Sequence, residues 1–445
     1  MRYQAPRSEM QLIRESLNCS TWEAVFATIH LALTQGIFLT NYALDLGASN
    51  MLCGVIESLP FLLQLSYLLS PYLVRRYGQR KKVTLTFSIL HRLAWVPLIA
   101  LLYTDWEPPM KQVLMVLTLL GANACAVVAA NAWFSWMTDL IPPAIRGAYY
   151  GRRNAYLGLT SLVTLFFGSQ LLSYFRSLDL GAAGYTICFS VAVASALFAA
   201  RMLARQYEPK AEPVSNLSFG DLFRLTKTRP LLWEYIRFTT LWQFSLGVGA
   251  AFFGIHMVKV LKMSPAEMGY QALVASVTAL IGSRIWGRAR DRVGDRAVLV
   301  TTGLLIAAHV WIWMPSTKDF MLPVWAVSVV GGFVWSGFNI AAFSWPQELC
   351  GTANRQYTFG LLNLLSGPGF VVGSLLGGAL TTFLPEVLFR IGTFEVLHYH
   401  LVFALSSVGR GAAVLLLAKW SLVYDRRFRS VKKCFADSLQ AIRSS

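Results

Sequence analysis

Charge is scarce in this sequence. Only 14% of its 445 residues are charged, against 55% that are hydrophobic, whereas a water-soluble domain carries about 25% charged side chains. So few charges cannot coat a water-facing surface, which leaves lipid as the cover for much of the exterior. Acids are scarcer than bases: 22 Asp and Glu stand against 39 Lys and Arg, for a net charge of +17. The six cysteines, Cys19, Cys53, Cys125, Cys188, Cys350 and Cys434, form no CxxC pair and no Cys/His cluster. Neither a disulfide framework nor a metal site is expected from them. Walker loops, G-x-S-x-G elbows and HExxH motifs are also missing. No catalytic residue is assigned, no cofactor is expected, and the chain does not read as an enzyme. The alternating ten-residue segments of a membrane barrel are lacking too.

Long apolar runs fill the space instead. They predict helices near residues 22–44, 51–74, 83–103, 113–137, 155–175 and 185–203, then 231–258, 268–286, 297–314, 322–345, 359–383 and 401–423. Twelve spans of about 20 residues consume roughly 240, which leaves short loops. The first run follows a mixed polar stretch without a small-residue cleavage site, so it reads as a retained helix. The expected organisation is a six-helix bundle over residues 1–205, a central loop over 206–230, a second bundle over 231–425 and a basic tail over 426–445.

The basic residues gather on one side of these spans. Arg75, Arg76, Arg80, Lys81 and Lys82 share it with Arg146, Arg152, Arg153 and with Arg288, Arg290, Arg292, Arg296. The central loop and the tail belong there as well. By the positive-inside rule that side is cytoplasmic, and an even number of spans puts both termini there. Topology therefore accounts for the positive charge, and nucleic-acid binding is not expected because no soluble basic domain is present.

The two halves repeat each other. Phe134-Ser135-Trp136 recurs as Phe343-Ser344-Trp345, 209 residues on. The register persists through Asp139/Glu348, Leu140/Leu349, Arg146/Arg355, Gly151/Gly360 and Asn154/Asn363. Similar amphipathic helix ends would not fix an Arg and a Gly at one displacement; duplication does. Leu46-x-x-Ser49 with Gly54 likewise matches Leu261-x-x-Ser264 with Gly269, and each serine is placed to cap the second helix of its half.

One loop carries a motif. Gly287-Arg288-Ala289-Arg290-Asp291-Arg292-Val293-Gly294-Asp295-Arg296 resembles the signature G-x-x-x-D-R-x-G-x-R of the major facilitator superfamily. Gly294 permits a tight turn, and Asp291 offers a carboxylate to a helix N-terminus. The first-half copy keeps Arg76, Gly78 and Arg80 but has Pro71 for the first Gly and Arg75 for the acid, so a cytoplasmic latch built from the two should be asymmetric. Asp139 with Arg146 and Glu348 with Arg355 resemble the acid-x6-Arg pattern of sugar porters in the same loops; that likeness is confined to the loops and does not name a substrate. The glycines of the eleventh span, Gly369, Gly373, Gly377 and Gly378 after Ser366-Gly367-Pro368, make a small-residue face suited to close helix packing.

The superfamily resemblance implies an all-α polytopic membrane protein with twelve transmembrane helices in two pseudo-symmetric six-helix bundles. It further implies a secondary active transporter that moves a small polar or anionic organic solute by alternating access, with proton coupling as an option. A transporter-fold receptor or assembly factor without net transport is the alternative. The resemblance puts the cavity between spans one, four, seven and ten, where His30, Gln35, Asn41, Asn131, Trp133, Arg237, Gln243, Trp335 and Asn339 are candidates. Glu57, Arg92 and Arg410 are intramembrane charges, costly to place and so functional candidates by default. The expected partners are a small-molecule substrate, membrane lipid and protons, with the protein a monomer in a bacterial inner (plasma) membrane.

Overall fold

The computed structural model describes residues 9–142, 145–209, 230–350, 355–392 and 394–424, together with residues 437, 438, 440 and 442. Its helices are α1 (Glu9–Thr34), α2 (Ile37–Asp45), α3 (Asn50–Leu62), α4 (Leu69–Tyr77), α5 (Arg80–Leu93), α6 (Trp95–Leu101), α7 (Pro108–Leu140), α8 (Arg146–Ser177) and α9 (Gly181–Ala204). They continue as α10 (Pro230–Lys259), α11 (Pro265–Val293), α12 (Asp295–Trp313), α13 (Leu322–Cys350), α14 (Arg355–Phe383) and α15 (His398–Tyr424). Among the described residues, ten helical stretches are long and apolar enough to cross a membrane. The two other expected spans are also helical. One, α3, is shorter, and the other, α11, is long but carries Arg284, Arg288, Arg290 and Arg292.

The first three expected spans are each interrupted, and the sequence shows why. Gly36, with φ 55°, separates α1 from α2, a backbone setting that favours glycine. Pro60 lies inside α3, and the chain passes into a 3-10 stretch over Leu63–Leu68 before α4 begins. Proline lacks the N–H for the helical ladder and crowds the preceding turn. Pro97 acts in the same way on the third span, which breaks at Ala94 between α5 and α6. The predicted serine caps are present: Ser264 and Glu267 form a reciprocal capping box, and Ser49 accepts the Leu52 N–H at 3.2 Å.

The chain divides into two units, Met1–Gly47 with Leu63–Ser215, and Ala48–Leu62 with Asn216–Ser445. In the first, α1 packs along α8 and α9, and α5 packs against α7 and α9. Trp136, Met137, Leu140, Tyr149 and Leu203 form a buried apolar cluster there. In the second, α10 packs against α14 and α15, α11 against α13, and α3 against α14. Its larger core includes Trp242, Trp286, Val298, Phe338 and Val414.

The glycines of the eleventh span serve packing. A Cβ on Gly373 would collide with the Phe244 carbonyl, and one on Gly377 with the Val248 carbonyl. A Cβ on Gly369 would come within 2.6 Å of the Thr240 carbonyl. Small residues four apart thus let α14 lie directly on the α10 backbone, the close approach through which helices associate in lipid. An unanticipated element follows: strands β1 (Val387–Ile391) and β2 (Phe394–Leu397) pair antiparallel between α14 and α15.

Candidate functional site

Polar groups inside the first unit cluster where α1, α5 and α9 meet. Arg92, from the middle of the third span, pairs with Glu23 at 3.1 Å, each side chain only 9% exposed. Arg92 also donates to the Ala196 carbonyl at 3.4 Å. His30 is buried beside them, its Nδ1 donating to the Ala192 carbonyl at 3.2 Å and its ring edge-on to His91 at 5.5 Å. Glu23 did not stand out in the sequence because it is the second residue of the first expected span, where an acid reads as a hydrated helix end.

At the α2 end of this unit, Arg176 donates to Asn41 Oδ1 at 3.0 Å and to the Tyr185 hydroxyl at 2.7 Å. It is also paired with Asp45, to which Tyr185 donates at 2.7 Å. Asn41, a cavity candidate, is therefore held in a polar network. Gln35 is exposed at the α1–α2 break, and Asn131 is half-buried on α7.

The basic-loop ends carry the duplicated Ser-Trp pair. In the first unit Arg80 forms an ion pair with Asp139 and donates to the Ser135 carbonyl at 3.3 Å. Glu208 joins them, accepting the Arg80 backbone N–H at 2.7 Å and its Nε–H at 3.4 Å. In the second unit Ser344 donates to Asp295, and the Arg296 guanidinium lies 5.6 Å over the Trp345 ring. The same repeated segment thus meets the start of α5 and of α12, but carboxylates dominate one site and an aromatic face the other.

The loop glycines adopt left-handed angles, φ 69° at Gly78 and φ 88° at Gly294. Asp291 and Arg292 are exposed, and Asp291 accepts from Arg290 at 2.9 Å. Gly287 is half-buried, and Arg76 is exposed. The side chains of Arg146, Glu348 and Arg355 lie outside the described residues.

Each unit also sets an arginine on an indole. Arg153 lies 5.0 Å over Trp133 in the first unit. In the second, Arg237 lies 5.6 Å over Trp233 and pairs with Glu234 at 3.1 Å. Such a stack covers one face of the cation and leaves its edges for hydrogen bonds. Trp335 is half-buried, edge-on to Trp242 at 6.1 Å and to Phe338 at 5.6 Å; Gln243 is half-buried and Asn339 exposed. Glu57 is exposed on α3, and no ion pair to it occurs among the described residues. Arg410 is buried, and its Nη2 donates to Ser406 Oγ at 2.8 Å. Among the described residues, no group of three His, Cys, Asp or Glu side chains is arranged to hold a metal.

Comparison with known proteins places this architecture. The family model of the Major Facilitator Superfamily matches residues 24–374 and, in a second match, 243–433. A major facilitator-type transporter of Psilocybe cyanescens, psiT2, is 28% identical over 176 residues, which are 38% of this chain and 30% of that protein. The chain therefore aligns with less than a third of that relative's length. Among solved structures, a bacterial homologue of the iron transporter ferroportin in its inward-facing state superposes with a TM-score of 0.67 at 13% identity, over 93% of this chain and 100% of that one. A variant of the nucleoside transporter NupG gives 0.66 at 14% identity, over 93% and 100% of the two chains. A bacterial homologue of the human lysosomal transporter Spinster, inward-facing, gives 0.59 at 15% identity, over 99% and 98%. At these identities the structural likeness speaks for the fold alone.

Proposed function

The chain belongs to the Major Facilitator Superfamily, and from that premise we propose that it is a secondary active transporter of a small polar or anionic organic solute, working by alternating access. The guanidinium of Arg153, laid on Trp133, carries the choice of solute class. Its Nε lacks a hydrogen-bond partner among the described residues. A planar cation held against an aromatic face suits bidentate recognition of a carboxylate or phosphate. Arg237 on Trp233 offers a second such group, with Glu234 beside it. The structural neighbours include a nucleoside transporter and a bacterial metal transporter, so the fold does not choose among substrates and the side chains must.

In this reading Glu57 is the proton carrier, since it is an acid on a membrane helix without an ion-pair partner among the described residues. The basic loops face the cytoplasm, and Asp291, Arg80 and Asp139 latch that side during the cycle. Cysteine labelling at Ala211 and Ser444 tests the orientation, and reaction from outside intact cells would refute it.

The deciding experiment is solute flux in proteoliposomes with anionic, zwitterionic, cationic and neutral panels, with and without a pH gradient. Saturable flux of an anion is expected. Arg153→Gln should raise its KM at least tenfold and leave any neutral solute untouched. A pH gradient should drive uptake in the parent protein and fail to do so in Glu57→Gln. Absence of flux for every panel member would favour a receptor or assembly role instead.

A further inference from the structure

The two bundles treat a buried arginine differently. The duplication makes the helix triad of spans one, three and six the counterpart of spans seven, nine and twelve. Each triad encloses one arginine with a histidine near it. In the first unit that arginine is Arg92, with His91 beside it in sequence and Glu23 as its counter-charge at 3.1 Å. In the second it is Arg410 on α15, 2% exposed, with His309 of α12 within its electrostatic reach.

Arg410 has no carboxylate partner among the described residues. Its one hydrogen bond runs from Nη2 to Ser406 Oγ at 2.8 Å, and its Nε has none. The neighbouring polar side chains are all neutral and mostly committed to carbonyls. Ser406 donates to the Ser245 carbonyl at 2.5 Å, and Ser407 to the Ala307 carbonyl at 2.7 Å. His309 donates through Nδ1 to the Ile306 carbonyl at 2.6 Å. The surroundings are small: a Cβ on Gly249 would touch Ser406 Oγ, and one on Gly409 would strike Ser245 Oγ.

A guanidinium stays protonated in proteins. Buried among neutral groups, it carries a desolvation cost that one hydroxyl does not offset. We infer that Arg410 is an internal anion site, occupied by a small monovalent inorganic anion of the chloride class that supplies the counter-charge Glu23 supplies in the other bundle. The ligand is inorganic and small because the guanidinium is almost fully buried and its one hydrogen-bond partner is the short Ser406 hydroxyl. This site is separate from the proposed solute-binding arginines, Arg153 and Arg237.

The test uses the purified full-length protein in detergent or nanodiscs, in chloride, bromide or gluconate at equal ionic strength. Chloride and bromide should raise the melting temperature saturably, by roughly 5 °C over gluconate when the site is filled. Arg410→Met should abolish the halide dependence. Ser406→Asp builds a covalent carboxylate where Nη2 now donates, so it should also abolish the dependence and melt in gluconate no lower than the parent does in chloride. Bromide should show anomalous scattering at the guanidinium. A parent protein whose melting ignores halide at matched ionic strength overturns the proposal. So does halide dependence that survives in Ser406→Asp or Arg410→Met. If Arg410→Met does not fold, the salt comparison on the parent and on Ser406→Asp still decides.

Discussion

Glu208 caps the helix that Arg80 begins. One carboxylate oxygen accepts the Arg80 backbone N–H at 2.7 Å, and the other accepts that of Lys81 at 3.3 Å. These are two of the donors a helix start leaves unsatisfied, and the negative charge sits at the positive end of the helix dipole. The capping group comes from 128 residues away. It fastens the segment that leaves the sixth span onto the start of the third, with the Pro209 carbonyl accepting from Arg80 Nη2 at 3.1 Å.

Glu208→Ala should therefore lower stability by about 0.5–2 kcal/mol, the usual cost of a lost cap. Glu208→Gln should recover part of it, since the amide oxygen still accepts one N–H. Arg80→Lys keeps the charge but loses the fork that reaches Asp139, Glu208 and Pro209 together, and should cost more than Glu208→Gln. Thermal unfolding of the purified variants reads all three; equal melting of parent and Glu208→Ala would remove the cap from the account.

Long-range caps of this kind are invisible in a single sequence, whereas local ones are not. Ser264, before an apolar run, was legible as a helix start, and Glu267 three residues on completes the capping box. The spans were legible because hydropathy sums over about 20 residues and outweighs local detail. Their interruptions were carried by single residues, Gly36, Pro60 and Pro97, inside otherwise apolar runs. The hairpin over Val387–Leu397 was missed because it is short and apolar between two spans, although Gly392, with φ 61°, was a turn signal. In the site, Arg92 and Arg410 stood out as charges in apolar runs. Pairing Arg92 with Glu23 needed the tertiary structure, since an ion pair between helices leaves no spacing to read.

Gly373 tests the α10–α14 contact. Gly373→Ala should destabilise the protein by about 1–3 kcal/mol, because the added methyl runs into the Phe244 backbone, which cannot swing away as a side chain can. Gly158→Ala on α8, where an added Cβ meets nothing within 4 Å, is the comparison. Equal stability of the two variants would show that the helices lie further apart.

The hairpin should respond to acid. His400 Nδ1 accepts the Leu397 N–H at 3.0 Å, a role that only an unprotonated nitrogen can fill. Acidification far enough to protonate this nitrogen should break the bond and speed exchange of the Leu397 amide beyond the intrinsic pH effect. His400→Gln, whose amide oxygen accepts at any pH, should exchange without that extra dependence. Hydrogen exchange followed by mass spectrometry on peptides spanning 387–400 provides the measurement. Identical pH profiles for parent and variant would count against it.

The proposed latch predicts a shift in conformational populations. Asp291 is exposed in the last turn of α11, before Gly294. Asp291→Asn should favour the inward-open state, and Arg75→Asp should favour the outward-open one by giving the first-half loop the acid it lacks. Each 1.4 kcal/mol changes the state ratio about tenfold. Spin-label distances between the cytoplasmic loops would report the change. Unchanged distributions in well-expressed Asp291→Asn would rule the latch out.

The Glu23–Arg92 pair decides whether the buried charges of the first bundle serve folding or transport. Removing one partner leaves the other buried and uncompensated, so Glu23→Gln and Arg92→Met should each cost about 3–5 kcal/mol. Replacing both by apolar residues of similar volume removes both desolvation costs together. The double variant Glu23→Leu/Arg92→Met should therefore unfold within about 1 kcal/mol of the parent, or above it. Stability alone would not separate the two roles, because either predicts fragile single variants. Transport by the double variant does separate them. If the pair is only a structural tie, flux returns with stability. If Arg92 or Glu23 takes part in the cycle, the double variant folds well and stays inactive. His30 and His91 lie within the same cluster, and such a result would make them the next side chains to replace. Should the double variant instead be as unstable as the singles, the two side chains do not share their burial cost, and the 3.1 Å contact contributes little.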